Sequence, residues 1–128
     1  MTGVIRDIIP DMAVGKILIQ RDEVTAQPHL LYIKLPPHVE KRSVLLFDPM
    51  LATGGSVIAA LGELKKAGVS PRAVVFVNVV SCPEGLKALN DAYPEVRVVT
   101  GAVDTKLNER KFIVPGLGDF GDRYFGTE

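Results

Sequence analysis

This sequence has no tryptophan, a single cysteine, two histidines and no surplus of charge of either sign. Each scarcity excludes something. One thiol, Cys82, rules out an internal disulfide framework and fits a reducing compartment, so the chain is expected in the cytoplasm. Lys plus Arg and Asp plus Glu balance at 15 each, which gives no electrostatic footprint for nucleic acid or an anionic membrane surface. No apolar run is long enough to span a bilayer, and the opening residues carry no signal-peptide pattern. His29 and His38 stand apart without Cys or carboxylate partners at ligand spacing, so they read as surface groups and not as a metal site. Aromatics are few, 6% against 47% hydrophobic residues, which suits a core of Val, Ile and Leu in an α/β domain. With 128 residues the chain is one domain, able to bury roughly two-thirds of its unfolded surface.

What is present is organised around Ser43 to Ser56. Val44 to Phe47 is an apolar run too short for a helix and reads as a strand buried on both faces. A helix follows: Val57, Leu61 and Leu64 share one face, and Gly68 is a stop signal. Thr53-Gly54-Gly55-Ser56 therefore lies where a helix begins. The first N–H groups of a helix lack intrahelical acceptors and carry the positive end of its dipole, which suits an anion. Gly54 and Gly55 bring bare backbone close, and Thr53 and Ser56 can add hydroxyls, although Ser56 can instead cap the helix. No Lys follows the glycines and their spacing is not G-x-G-x-x-G, so a single phosphate fits better than a triphosphate or dinucleotide. Asp48, at the strand's carboxyl end, can accept from sugar hydroxyls or hold a metal; acid and phosphate loop together suggest a sugar 5-phosphate.

The rest of the chain supplies the frame. Met1 to Ala13 looks like the tail of a helix ended by Pro10. Val14–Ile19 and His29–Leu35 read as two strands of an antiparallel arm, closed by Pro36-Pro37, with exposed edges that make it a pairing surface. Ala73–Val80 is a further buried strand. Ser81 and Glu84 have capping-box spacing ahead of a helix whose inward face is Leu86, Leu89 and Tyr93, and Val96–Thr100 is the next strand. Alternating strands and helices specify right-handed βαβ units: an open, mainly parallel sheet with helices on both faces, and ligands beyond the carboxyl ends of its strands. Asp104 and Asn108 are turn formers, and Cys82 reads as a buried thiol. Between Pro115 and Thr127, four glycines free the backbone to present its own N–H and C=O groups.

Two motifs carry a resemblance. Asp48-Pro-Met-Leu-Ala-Thr-Gly-Gly-Ser56 resembles the phosphoribosyl diphosphate (PRPP) loop of uracil phosphoribosyltransferases, and Ile113-Val-Pro-Gly-Leu-Gly-Asp-Phe-Gly-Asp-Arg-Tyr-Phe-Gly-Thr127 resembles their uracil-binding segment. The likeness runs over essentially the whole chain. It implies a type I phosphoribosyltransferase-like fold spanning 1–128 and lacking the N-terminal part of the family's fold, with Met1 an internal methionine. It also implies formation of UMP and diphosphate from uracil and PRPP with Mg²⁺, in a homo-oligomer, either dimer or tetramer. By the same resemblance PRPP would be held by Arg21, Asp48, Pro49, Met50, Leu51, Ala52, Thr53, Gly54, Gly55, Ser56 and Asp119, and uracil by Ile113, Gly118, Asp119 and Phe120. Pro49 stands where most phosphoribosyltransferases have a second acid, and Phe120 where bacterial members have a small residue. The ending Phe120–Thr127 also resembles the tails of uridine kinase-like proteins, which makes a non-catalytic nucleotide-binding domain the second expectation.

Overall fold

The computed structural model describes residues 2–22 and 28–127. Helix α1 (Thr2–Ile8) opens the chain and stops ahead of Pro10, as a ring without an N–H dictates. Strands β1 (Lys16–Arg21) and β2 (Pro28–Lys34) pair antiparallel, Lys16 opposite Lys34 and Arg21 opposite Pro28, with a bulge between Leu18 and Ile19. This is the arm that the alternating pattern predicts, and Leu18, Leu31 and Tyr32 stay about half exposed on it.

The main sheet begins at β3 (Val44–Phe47), and β4 (Met50–Leu51) continues along the same edge of β5 (Val74–Ser81) after a break at Asp48-Pro49. The Pro49 carbonyl accepts from both Val79 N and Val80 N, at 3.0 and 3.2 Å, so the break is itself hydrogen-bonded. On the other edge of β5 lies β6 (Arg97–Val103), also parallel. The chain crosses from β3 through α2 (Gly55–Lys66) to β5, then through α3 (Pro83–Ala92) to β6.

Both crossovers advance the same way across the sheet. Two right-handed crossovers in one direction put their helices on one face, and α2 and α3 pack there together. The buried face of α2 is Val57, Ala60, Leu61 and Leu64, which meets Val74 and Phe76 of β5, while α3 contributes Leu89 with Leu86 and Tyr93 half-buried beside it. Each large aliphatic side chain buried in this way contributes about 1.5–3 kcal/mol. On the opposite face Leu45, Val79, Val99 and Val103 remain 44–55% exposed. Strand β3 therefore differs from its expected burial on both faces: as an edge strand it has Val44 and Leu46 against the core and Leu45 outward.

The capping box expected at Ser81 and Glu84 does not form. Cys82 is the N-cap of α3, because both partners of the box are engaged elsewhere. The Asn78 side-chain N–H groups donate to Val80 O and Ser81 Oγ, both at 2.8 Å. Ser81 Oγ lies 2.9 Å from Thr100 Oγ1, which itself donates to Ala102 O, so the proton between the hydroxyls belongs to Ser81. Glu84 instead accepts from Leu107 N at 3.1 Å. That N–H holds the Glu84 carboxyl below its ordinary range.

After β6 the chain forms a small hairpin of β7 (Lys106–Leu107) and β8 (Ile113–Val114), tightened by Asn108 Oδ1, which accepts from Arg110 N and Phe112 N at 3.0 Å. A short helix, α4 (Phe120–Phe125), ends the described chain.

Candidate functional site

The segment that joins strand to helix begins with Asp48, whose Oδ1 accepts from Met50 N at 3.3 Å and bends the backbone into an Asx-type turn. Leu51 and Ala52 are buried beneath the loop. Gly54 is the N-cap of α2 at φ 84°, a left-handed conformation that glycine adopts without cost. No side chain caps the helix from that position, and Thr53 Oγ1 accepts from Gly55 N at 3.5 Å. Ser56 is thus inside the first turn and is not the cap. The first turn of α2, with its N–H groups and the positive end of the helix dipole, follows the acid at the strand end after β4 and the bend at Ala52 to Gly54.

The tail reaches the same place from the other end of the chain. Ile113 is buried with Ala52, Val80 and Cys82 in a second apolar cluster, so β8 is anchored against the loop that leads into α2. Gly116, at φ 57°, donates to Asp104 Oδ2 at 2.8 Å, and Gly118, at φ 77°, completes the reversal. Asp119 then caps α4, its Oδ1 accepting from Asp122 N at 3.1 Å, and Gly126 at φ 66° closes the helix. Arg123 reaches back to the Leu117 carbonyl at 2.8 Å, and Phe120 stacks on Tyr124 with ring centroids 5.6 Å apart.

Between β3, the arm and this tail runs a cleft of about 1480 Å³. It exceeds the roughly 300–1,000 Å³ of a small-ligand pocket because it continues along the aliphatic side of the arm. Asp48, Ser56 and Asp119 are among its polar lining residues. Of the residues singled out in the sequence, Asp48, Pro49, Met50, Ala52, Ser56, Ile113, Gly118, Asp119 and Phe120 line it. Leu51 sits in the core at 1% exposure, and Gly54 is buried under the loop. Thr53 and Gly55 are half-buried in the turn beside it. Arg21 ends β1, but the guanidinium role expected of it lies outside the described residues. Arg110 and Lys111 also line the cleft and were not anticipated; two adjacent cations in a hairpin turn were the signal available.

Comparison with known proteins agrees with this layout. The family model described as uracil phosphoribosyltransferase matches residues 1–127. The chain is 56% identical over 128 residues to a uracil phosphoribosyltransferase of Dictyostelium discoideum, covering all of this chain and 59% of that protein. It is 54% identical over 121 residues to the one of Saccharomyces cerevisiae, covering 94% and 56%. The chain thus spans somewhat over half the length of the curated relatives it matches. A solved structure of the AQ2163 protein from Aquifex aeolicus superposes with a TM-score of 0.82 at 38% identity, over 96% of this chain and 58% of that one. The APRTase of Giardia lamblia, at 20% identity and a TM-score of 0.55 over 80% of this chain and 62% of that one, shares the fold. Loop, tail and family match agree: this chain belongs to the uracil phosphoribosyltransferase family.

Proposed function

We propose that this chain carries the PRPP and uracil sites of a uracil phosphoribosyltransferase, which joins the two to give UMP and diphosphate in pyrimidine salvage. The observation that carries the reading is a single cleft lined both by Asp48 and Ser56 and by Gly118, Asp119 and Phe120. In it the first turn of α2, with Thr53 to Ser56, takes the 5-phosphate; Asp48 takes the ribose hydroxyls; and Arg21 takes the diphosphate. The turn at Gly118 to Phe120 reads the edge of uracil with main-chain groups. Ile113 contributes through its backbone, since its side chain is committed to the apolar cluster. Positive charge builds on the ribose as the glycosidic bond breaks, so the protein's work is orientation and electrostatic support.

Among the described residues no three His, Cys, Asp or Glu side chains gather to hold a metal. Single carboxylates such as Asp48 and Asp119 suit Mg²⁺ that arrives on the diphosphate, since Mg²⁺ is commonly held by one or two carboxylates plus substrate phosphates. When bound it neutralises diphosphate charge. No described helix is long and apolar enough to cross a membrane. With a buried thiol and balanced charge, the reading places the enzyme in the cytoplasm.

Two measurements test this. UMP formation from uracil and PRPP is to be measured with this chain and with one extended at its N-terminus, and turnover is expected; binding of UMP by both with turnover by neither would favour the nucleotide-sensing reading. Replacing Thr53 and Ser56 together by Ala is expected to weaken PRPP binding about 100-fold or more, two hydrogen bonds to a charged phosphate being worth about 1.5–3 kcal/mol each. Unchanged affinity by calorimetry refutes the loop assignment.

The half-exposed aliphatic side chains of the arm, Leu18, Leu30 and Leu31 with Tyr32, support its pairing with a second copy of the chain. Leu31→Glu is expected to lower the mass found by light scattering toward that of one chain; an unchanged mass removes the arm from the interface.

A further inference from the structure

The phosphate loop rests on the first turn of α3, and the contact is unusually close. Cys82 N donates to Leu51 O at 3.2 Å, and Cys82 Sγ donates to Ala52 O at 3.1 Å. Gly85, one turn on, is buried against the same two carbonyls: a methyl group there would overlap Ala52 O and stand 2.7 Å from Leu51 O. Gly54 meets the far side of this turn, its own Cβ position lying 3.3 Å from both Gly85 O and the Ala88 side chain. Burial, partly offset by the Gly85 N–H, pushes the Cys82 thiol up from its ordinary 9.0. The sulfur therefore keeps the proton it donates.

These contacts fix a direction as well as a position. In a trans peptide the C=O and the N–H that follows it point opposite ways. With Leu51 O and Ala52 O both turned onto α3, the N–H groups of Ala52 and Thr53 face away from α3. Were those peptides to turn over, two carbonyl oxygens would face an approaching phosphate, which repels them.

We propose that Cys82 and Gly85 are positioning residues for the phosphoribosyl site: together they form a seat, a thiol donor and a missing Cβ, that holds the Leu51–Thr53 peptides with their N–H groups outward. The inference rests on the PRPP reading for its functional consequence, although the seat itself is a property of the loop. Neither residue lines the cleft. Nothing in the local sequence pattern calls for them, since Cys82 is not a preferred cap and a glycine inside a first helical turn costs helix stability.

The test uses three variants of the chain and two readouts. Gly85→Ala is expected to accelerate amide hydrogen exchange of residues 52–56 at least tenfold in the absence of ligand, and to raise the PRPP dissociation constant about tenfold or more. The Michaelis constant for uracil should change less than twofold, a split that a general loss of stability does not produce. Cys82→Ala, which adds no bulk, is expected to give the same pattern at two- to fivefold, and Cys82→Ser, which keeps a donor, to restore it. A folded Gly85→Ala chain with parental loop exchange and parental PRPP affinity overturns the seat. Should Gly85→Ala not fold, Cys82→Ala decides, and parental exchange in that variant overturns the seat as well. If the parent chain itself fails to bind PRPP, the function reading falls, while the exchange measurement still decides the seat.

Discussion

Replacing Gly116 by alanine is expected to be among the most damaging single substitutions in this chain. Gly116 holds φ 57°, where an L side chain costs about 1–2 kcal/mol, and a Cβ there would overlap the Ile113 carbonyl oxygen. The backbone cannot simply step aside. Gly116 N is tied to Asp104 Oδ2, Asp104 N to Ser81 O, and Ile113 is buried against Ala52 and Cys82. Relieving the overlap means breaking one of these, which brings the expected loss to about 3 kcal/mol, a fall in melting temperature of about 10 °C. The turn that carries Gly118 to Phe120 moves with it, so UMP affinity should drop by a factor of about 100 or more, measured by calorimetry below the melting temperature. Gly118→Ala is the control. Gly118 has a similar φ, 77°, yet its Cβ position meets only the Arg123 side chain, at an ordinary 3.9 Å, so strain alone is expected, about 1 kcal/mol. Equal stability of the Gly116→Ala and parent chains would mean that the tail is not braced as described.

The second large effect is expected at Asp48. It has two separable tasks: Oδ1 accepts from Met50 N to shape the loop, and the carboxylate lines the cleft. Asn keeps an acceptor for the first and loses the charge needed for the second. Charge-assisted hydrogen bonds are about twice as strong as neutral ones, and a negative group beside a ribose that gains positive charge stabilises the transition state selectively. Asp48→Asn is therefore expected to lower kcat/KM for UMP formation about 100-fold, or about 2.7 kcal/mol, with little change in melting temperature. Asp48→Ala should lose slightly more, because the turn loosens as well. An Asn variant as active as the parent would restrict Asp48 to shaping the loop.

The βαβ framework was legible because its signals are local and redundant. Val57, Leu61 and Leu64 lie on one stripe of α2, and all three are buried in the same core as Phe76. Elements defined by tertiary contacts were not legible. Strand β4 is two residues long and exists only through its pairing with Val80 and Ser81. The capping box failed because Thr100 and Leu107, distant in sequence, won the groups that it would have used. Helix α4 was readable in principle, from Asp119 at its start and Gly126 at its end, but it has no apolar stripe to draw attention to it. The two halves of the site could each be named from sequence. Their meeting in one cleft depends on the return of the β7–β8 hairpin under the loop, which no spacing along the chain reveals.

Asn78, Ser81 and Thr100 run in a fixed order, amide to hydroxyl to hydroxyl to the Ala102 carbonyl, with each proton already assigned. A line of donors committed in this way has nothing left to lend a passing heterocycle. If the cleft takes a pyrimidine as proposed, telling one from another is left to the closing turn, where peptide groups can match acceptors along a ring edge and Asp119 is the one formal charge between Gly118 and Phe120.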